Sequence, residues 1–179
     1  VAAAGCLFLL GVTGAQAADL PGPASPATYA RIVEGRAAAV VVIKFVLKVK
    51  MGGQAREVES EAGGVMIDPK GLVLTSNTLM GGFARTLRGR GGDVSAEPAN
   101  VRIVLCPKEE EFDALLIARD TDLDLAWIRI KDPAGRSFDT VDFSKSATPV
   151  MGEELVSLRR MVKFFDRVPL LRTGKLCAV

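Results

Sequence analysis

Residues 64–75 read GVMIDPKGLVLT, and this stretch carries the strongest indication of the fold. Apolar side chains flank a central Asp-Pro-Lys-Gly, whose residues favour a tight turn. Two short apolar runs joined by such a turn are typical of a β-hairpin. The sequence therefore predicts two antiparallel strands here, connected at residues 68–71.

Strand-like segments recur on both sides of this hairpin. In residues 40–50, VVVIKFVLKVK, the apolar Ile43, Phe45 and Leu47 alternate with lysines and other residues, which predicts a half-buried strand. Similar short runs lie at residues 101–105, 112–118, 125–130 and 152–158. Only residues 29–39 suggest a short helix. Closely spaced short strands with little helical periodicity predict an all-β antiparallel barrel or sandwich.

Residues 81–100 interrupt this pattern with many glycines and with Arg85, Arg88 and Arg90, and they predict a loop. An anion or nucleic-acid site is one interpretation of the arginines, but a solvated loop is favoured. The net charge of +2 is too small for the concentrated basic face that nucleic acids require. We therefore expect no nucleic-acid partner.

The N-terminal residues indicate export. Residues 1–17 are largely apolar and end in Ala15-Gln16-Ala17, the small-x-small pattern that signal peptidase accepts. The strongly apolar part is shorter than the roughly 20 residues that span a bilayer. We therefore predict an N-terminally clipped signal peptide at residues 1–17 and a Pro- and Ala-rich linker at residues 18–28. The expected location is the periplasm or the cell exterior, without membrane attachment after signal removal.

Two cysteines, Cys106 and Cys177, follow the signal segment. They could form a disulfide in an oxidising compartment, but two unbonded buried thiols are favoured because both cysteines lie in apolar runs. The chain contains no histidine, so a zinc site would need carboxylates or additional thiolates. No phosphate-binding glycine loop precedes a helix. We therefore predict neither a metal nor another cofactor.

Four motifs in order carry a family resemblance: residues 64–68, residues 70–75, Arg119-Asp120 with residues 124–126, and residues 152–156. They resemble the landmarks of trypsin-like serine proteases of the Deg type, the bacterial high-temperature-requirement family, and the resemblance extends from about residue 40 to residue 179. It implies a six-stranded antiparallel β-barrel of the trypsin-like protease type at residues 29–160. Residues 161–179 would be a linker and the first strand of an incomplete second barrel.

The resemblance also assigns catalytic positions. After the Gly-Leu strand the family has approximately Thr-Asn-Ala-His-Val, whose histidine is the general base. Here residues 75–79 read TSNTL, so Thr78 stands at the histidine position. The family aspartate that orients this base matches Asp124, which without the resemblance would be interpreted as a turn carboxylate. The family's nucleophilic serine would lie in the second barrel, beyond residue 179.

A serine hydroxyl is a poor nucleophile without a base, and threonine cannot act as that base near neutral pH. We therefore expect no competent catalytic residue and no enzyme activity. The favoured function is a catalytically silent, truncated homologue that binds polypeptides through its barrel surface, in an undetermined oligomeric state. Alternatives are the N-terminal part of a longer serine endopeptidase and an unrelated small envelope β-barrel with a structural role.

Other catalytic schemes are less favoured by the sequence. Ser144 and Lys145 could form a dyad, but they are chain neighbours without a Gly-rich oxyanion turn. Asp120, Asp122 and Asp124 could supply paired carboxylates, and so could the acidic residues 109–111. A solvated charge run at a hairpin tip is the favoured interpretation of residues 109–111.

Overall fold

The computed structural model describes residues 25–88, 94–148 and 150–177. The predicted signal peptide and residues 18–24 of the predicted linker lie outside these residues. The first element is α1 (Pro26–Arg36), which confirms a helix near the predicted position but begins within the predicted linker. Ser25 caps it by accepting the Thr28 N–H at 3.3 Å. No helix among the described residues is long and apolar enough to cross a membrane.

Six strands close into an antiparallel barrel, which confirms the predicted fold class. Its strands are β1 (Val40–Met51), β2 (Gln54–Asp68), β3 (Leu72–Ser76), β4 (Val94–Leu105), β5 (Glu110–Asp120) and β6 (Leu125–Ile130). Neighbours around the barrel follow the order β1-β2-β3-β6-β5-β4. A short turn, Ala37–Ala39, connects α1 to β1. A helical turn, Thr78–Gly82, and the short α2 (Phe83–Arg88) connect β3 to β4.

The barrel interior is filled by one face of each strand. Ile43, Phe45 and Leu47 point inward from β1 and are buried, as the alternating pattern predicts. They meet fully buried apolar side chains from other strands: Met66, Val73, Ile103, Ala126 and Ile128. Burial of this contiguous apolar cluster is the main contribution to the stability of the barrel.

The predicted hairpin forms between β2 and β3. Asp68 stabilises its turn, because the side-chain Oδ1 accepts the Lys70 N–H at 2.7 Å and the carbonyl accepts the Gly71 N–H at 3.0 Å. Gly71 has a φ of +91°, and a Cβ there would lie 2.9 Å from the Cβ of Ile130. Only glycine satisfies both the turn and the contact with β6.

The prediction of a loop throughout residues 81–100 is wrong. Residues 83–88 form α2, and β4 begins at Val94, pairing with β1 from Met51 onward. The strand is difficult to recognise in the sequence because Pro98 and several small residues weaken its alternation of apolar and polar side chains. Pro98 is tolerated because this half of β4 pairs with β1 alone, and a strand with one free edge can accommodate proline. Arg90 lies outside the described residues, and Arg85 is exposed.

The last two strands form a separate sheet. β7 (Glu154–Arg160) pairs with β8 (Pro169–Lys175) and with no barrel strand among the described residues. The predicted boundary at residue 160 placed β7 with the barrel, whereas the sheet topology groups it with β8. Cys106 is half-buried and Cys177 is exposed, and both thiols are free. The prediction that Cys177 is buried is therefore wrong, because it follows the end of this exposed sheet.

Candidate functional site

The end of β3 and the start of β6 bring the two sequence-predicted site residues together. β3 pairs with β6 so that Ser76 lies opposite Leu125. The Asn77 N–H then donates to the carbonyl of Asp124 at 3.0 Å. Two segments that are 46 residues apart in sequence therefore meet at Thr78 and Asp124.

The Asp124 carboxylate accepts hydrogen bonds at both oxygens. Its Oδ2 accepts the Ser76 hydroxyl at 2.7 Å, and its Oδ1 accepts the backbone N–H of Thr78 at 2.7 Å. The hydroxyl bond from Ser76, followed by the bonds from Thr78, holds the pKa of Asp124 below its ordinary value. The carboxylate is exposed and ionised at neutral pH, and it fixes the start of the helical turn Thr78–Gly82.

The neighbouring acid, Asp120, has a different role. Its Oδ1 accepts the backbone N–H groups of Asp122 and Leu123 at 2.9 and 3.0 Å, which closes the turn between β5 and β6. Asp124 instead accepts hydrogen bonds from Ser76 at the end of β3 and from Thr78. No hydrogen bond among the described residues joins the Asp120 and Asp124 carboxylates. The acids of this turn are structural acceptors and do not form a shared-proton pair.

Sequence reasoning missed a polar cluster behind Thr78. Arg119 of β5 donates to Asn77 Oδ1 at 3.0 Å and to the carbonyl of Met80 at 2.9 Å. Asn77 is buried, and Arg119 also approaches Glu97 at 3.5 Å. Asn77, Glu97 and Arg119 are among the residues that line an open cavity of about 410 Å³. No local pattern links Arg119 to Asn77, because only the β3-β6-β5 strand order brings them together.

The comparison with known families agrees with the barrel. Residues 62–179 match the family described as trypsin-like peptidase domain, from the middle of β2 through both strands of the second sheet. The chain belongs to this family. No curated protein matches the sequence significantly. This trypsin-like peptidase domain has a closed six-stranded barrel followed by a two-stranded sheet.

The other side chains considered as catalytic candidates have structural partners in this trypsin-like domain. The Ser144 hydroxyl donates to Asp142 at 2.6 Å, and Lys145 approaches the same carboxylate at 3.7 Å. The acids at residues 109–111 are not a free solvated run as predicted, because each one joins an ion pair. Among the described residues, no group of three or more potential metal ligands converges.

Proposed function

We propose that this domain is a catalytically silent, exported member of the Deg-type group that binds extended polypeptides. One observation carries the proposal of silence: Thr78 stands at the family's histidine position, directly against Asp124, in a chain without histidine. Both Asp124 oxygens already accept hydrogen bonds from Ser76 and Thr78. Loss of the base alone typically costs on the order of a millionfold in turnover. Export is proposed from the signal-like residues 1–17.

We expect no hydrolysis of casein or of fluorogenic peptides by the purified chain, by Thr78→His or by Asp124→Ala. The Thr78→His variant restores one family residue next to the acid, but it supplies no serine nucleophile in the proposed scheme. Hydrolysis should be followed by fluorescence over a day, with an active trypsin-like protease as positive control. Activity of the chain that disappears in Asp124→Ala would contradict the proposal.

Polypeptide binding is proposed at the free edge of β2. Residues 54–62 of β2 pair with β1 on one side, while β3 joins only at Val65, Met66 and Asp68. No other described strand pairs with β2 before Val65. Alternate backbone N–H and C=O groups along this stretch therefore face outward, as they do at any sheet edge. An extended peptide can satisfy them by adding as a strand.

The side chains of this edge indicate the charge of the partner. Glu57 and Glu59 lie on the outer face of β2, and both are exposed. Glu57 already pairs with Lys48 at 3.1 Å, but Glu59 has no ion-pair partner among the described residues. A cationic side chain on an added strand would lie opposite an acid, which favours cross-strand pairing. The edge therefore suits an extended, cationic polypeptide.

A fluorescein-labelled peptide of alternating threonine and lysine, long enough to span residues 55–60, should bind saturably in a fluorescence-anisotropy titration. Hydrogen exchange should slow at the outward amides of these residues. It should not slow in β8, whose exposed Arg172 and Lys175 repel the peptide.

Two N-methylated peptides provide the matched control. Only alternate residues of an added strand face β2, so methylating one set of alternate amides should abolish binding and methylating the other set should preserve it. Equal binding of both peptides, or protection of β8 in place of β2, would contradict strand addition at this edge.

A further inference from the structure

An exposed apolar surface connects β7 to β8. We call it the apolar tip, and it consists of Val162, Phe164, Phe165 and Val168. Phe164 is 86% exposed, and the other three side chains are at least half exposed. The two phenylalanine rings pack edge to face with centroids 4.9 Å apart. Adjacent large apolar side chains held this far out of the fold are typical of an interaction site.

The apolar tip is held in place by Arg167, which lies in the same loop. The Arg167 side chain is fully buried and forms ion pairs with Glu61 of β2 and Glu109 of the β4–β5 turn. Asp166 and Arg167 both have left-handed backbone conformations, which turns the Arg167 side chain inward and the neighbouring apolar side chains outward. The apolar tip is therefore fixed beside the barrel, at the end of the β2 edge where Glu61 lies.

A groove beside β2 reaches Lys163, which lies in the same loop as the apolar tip. It has a volume of about 610 Å³, and its lining includes Glu59, Ser60 and Glu61 of β2, Lys44 and Val46 of β1, Arg102 of β4, and Lys163. Lys163 and Glu59 have no ion-pair partner among the described residues. Because Arg167 pairs with Glu61, a peptide added to β2 at residues 55–60 ends next to the loop that carries Phe164 and Phe165.

The charges near the apolar tip favour a polypeptide over a membrane as its binding partner. Surfaces that insert into anionic bilayers combine apolar side chains with surplus cations. On the apolar tip the charge of Lys163 is offset by Asp166, and Arg167 is neutralised by Glu61 and Glu109. The tip therefore has no surplus positive charge that would attract anionic lipid.

We propose that the apolar tip binds a large apolar side chain of a polypeptide whose preceding residues form a strand against β2. This assignment rests on the proposed polypeptide binding and adds a sequence preference to it. Main-chain hydrogen bonds at β2 would supply affinity without regard to sequence, and the tip would select segments with an aromatic or large aliphatic residue at the end of the added strand.

The test uses the alternating threonine and lysine peptide in two series, without phenylalanine and with one phenylalanine placed at each position in turn. Placement at one end should tighten binding to the wild-type chain about tenfold, since burying such a side chain is worth roughly one to two powers of ten in affinity. The double variant Phe164→Ser, Phe165→Ser should lose this preference. Phe143→Ser, which removes an exposed phenylalanine between β6 and β7, should keep it.

The outcomes separate this inference from the proposed function. Failure of all peptides to bind contradicts polypeptide binding itself. Binding without a phenylalanine preference, or a preference that survives in the double variant, contradicts only the role of the apolar tip. Sedimentation of the chain with phosphatidylglycerol vesicles, abolished in the double variant, would identify a membrane surface as the occupant and overturn the inference. Circular dichroism should show that both variants keep the wild-type fold, because all three side chains are exposed.

Discussion

Replacing Gly81 with valine should lower the free energy of unfolding by about 3 kcal/mol or more. Gly81 lies in the helical turn after Thr78 with a φ of +93°, a conformation that β-branched residues strongly disfavour. A Cβ at this position would also lie 2.7 Å from the carbonyl oxygen of Ala96 in β4. That neighbour is backbone, so it cannot rotate away. Urea unfolding monitored by circular dichroism measures the loss.

Gly135 provides the matched control for this prediction. Its φ is +70°, but nothing lies within 4 Å of the position that a Cβ would occupy. Gly135→Val should therefore cost only the backbone penalty of a β-branched residue at positive φ, about 1–2 kcal/mol. Similar losses in Gly81→Val and Gly135→Val would show that Gly81 has no steric role in joining the helical turn to β4.

The strands that the sequence predicted best are those whose pattern is local. β1 was identifiable because its inward residues alternate regularly, and the β2–β3 hairpin because Asp68 and Gly71 form its turn through bonds within the turn itself. The position of Asp124 was predictable for the same reason, since it directly precedes β6. Local periodicity and turn chemistry survive in the folded state because the barrel buries one face of each strand.

The features that the sequence did not predict depend on distant partners. β4 begins at Val94 only because β1 extends far enough to pair with it, and nothing local identifies the residues around Pro98 as a strand. Arg119 of β5 contacts Asn77 at the end of β3, with β6 between the two strands. Arg167 is a charged residue in an apolar loop, and its burial depends on Glu61 and Glu109. Such contacts follow from topology, which single-sequence patterns do not specify.

Replacing Arg167 with methionine should lower the free energy of unfolding by about 2 kcal/mol. Methionine preserves the apolar body of the side chain but leaves Glu61 and Glu109 without their shared cation. Both carboxylates are partly exposed and regain some hydration, so the loss should be smaller than for a fully buried pair. Amide exchange in β8 should accelerate, because Arg167 links the second sheet to the barrel.

The origin of this loss can be tested by removing the charges of Glu61 and Glu109, which Arg167→Met leaves unpaired. If unpaired carboxylates cause most of it, adding Glu61→Gln and Glu109→Gln to Arg167→Met should restore more than half of the lost stability, since uncharged partners leave no buried charge unpaired. If the triple variant is no more stable than Arg167→Met, the ion pairs are not the source of the effect. The guanidinium would then act through its packing between β2 and the β4–β5 turn. In the first case the Arg167 ion pairs act through charge, alongside the hydrogen bonds that Arg160 of β7 donates to the carbonyls of Ala37 and Val40. The same ion pairs then fix the apolar tip beside the β2 edge.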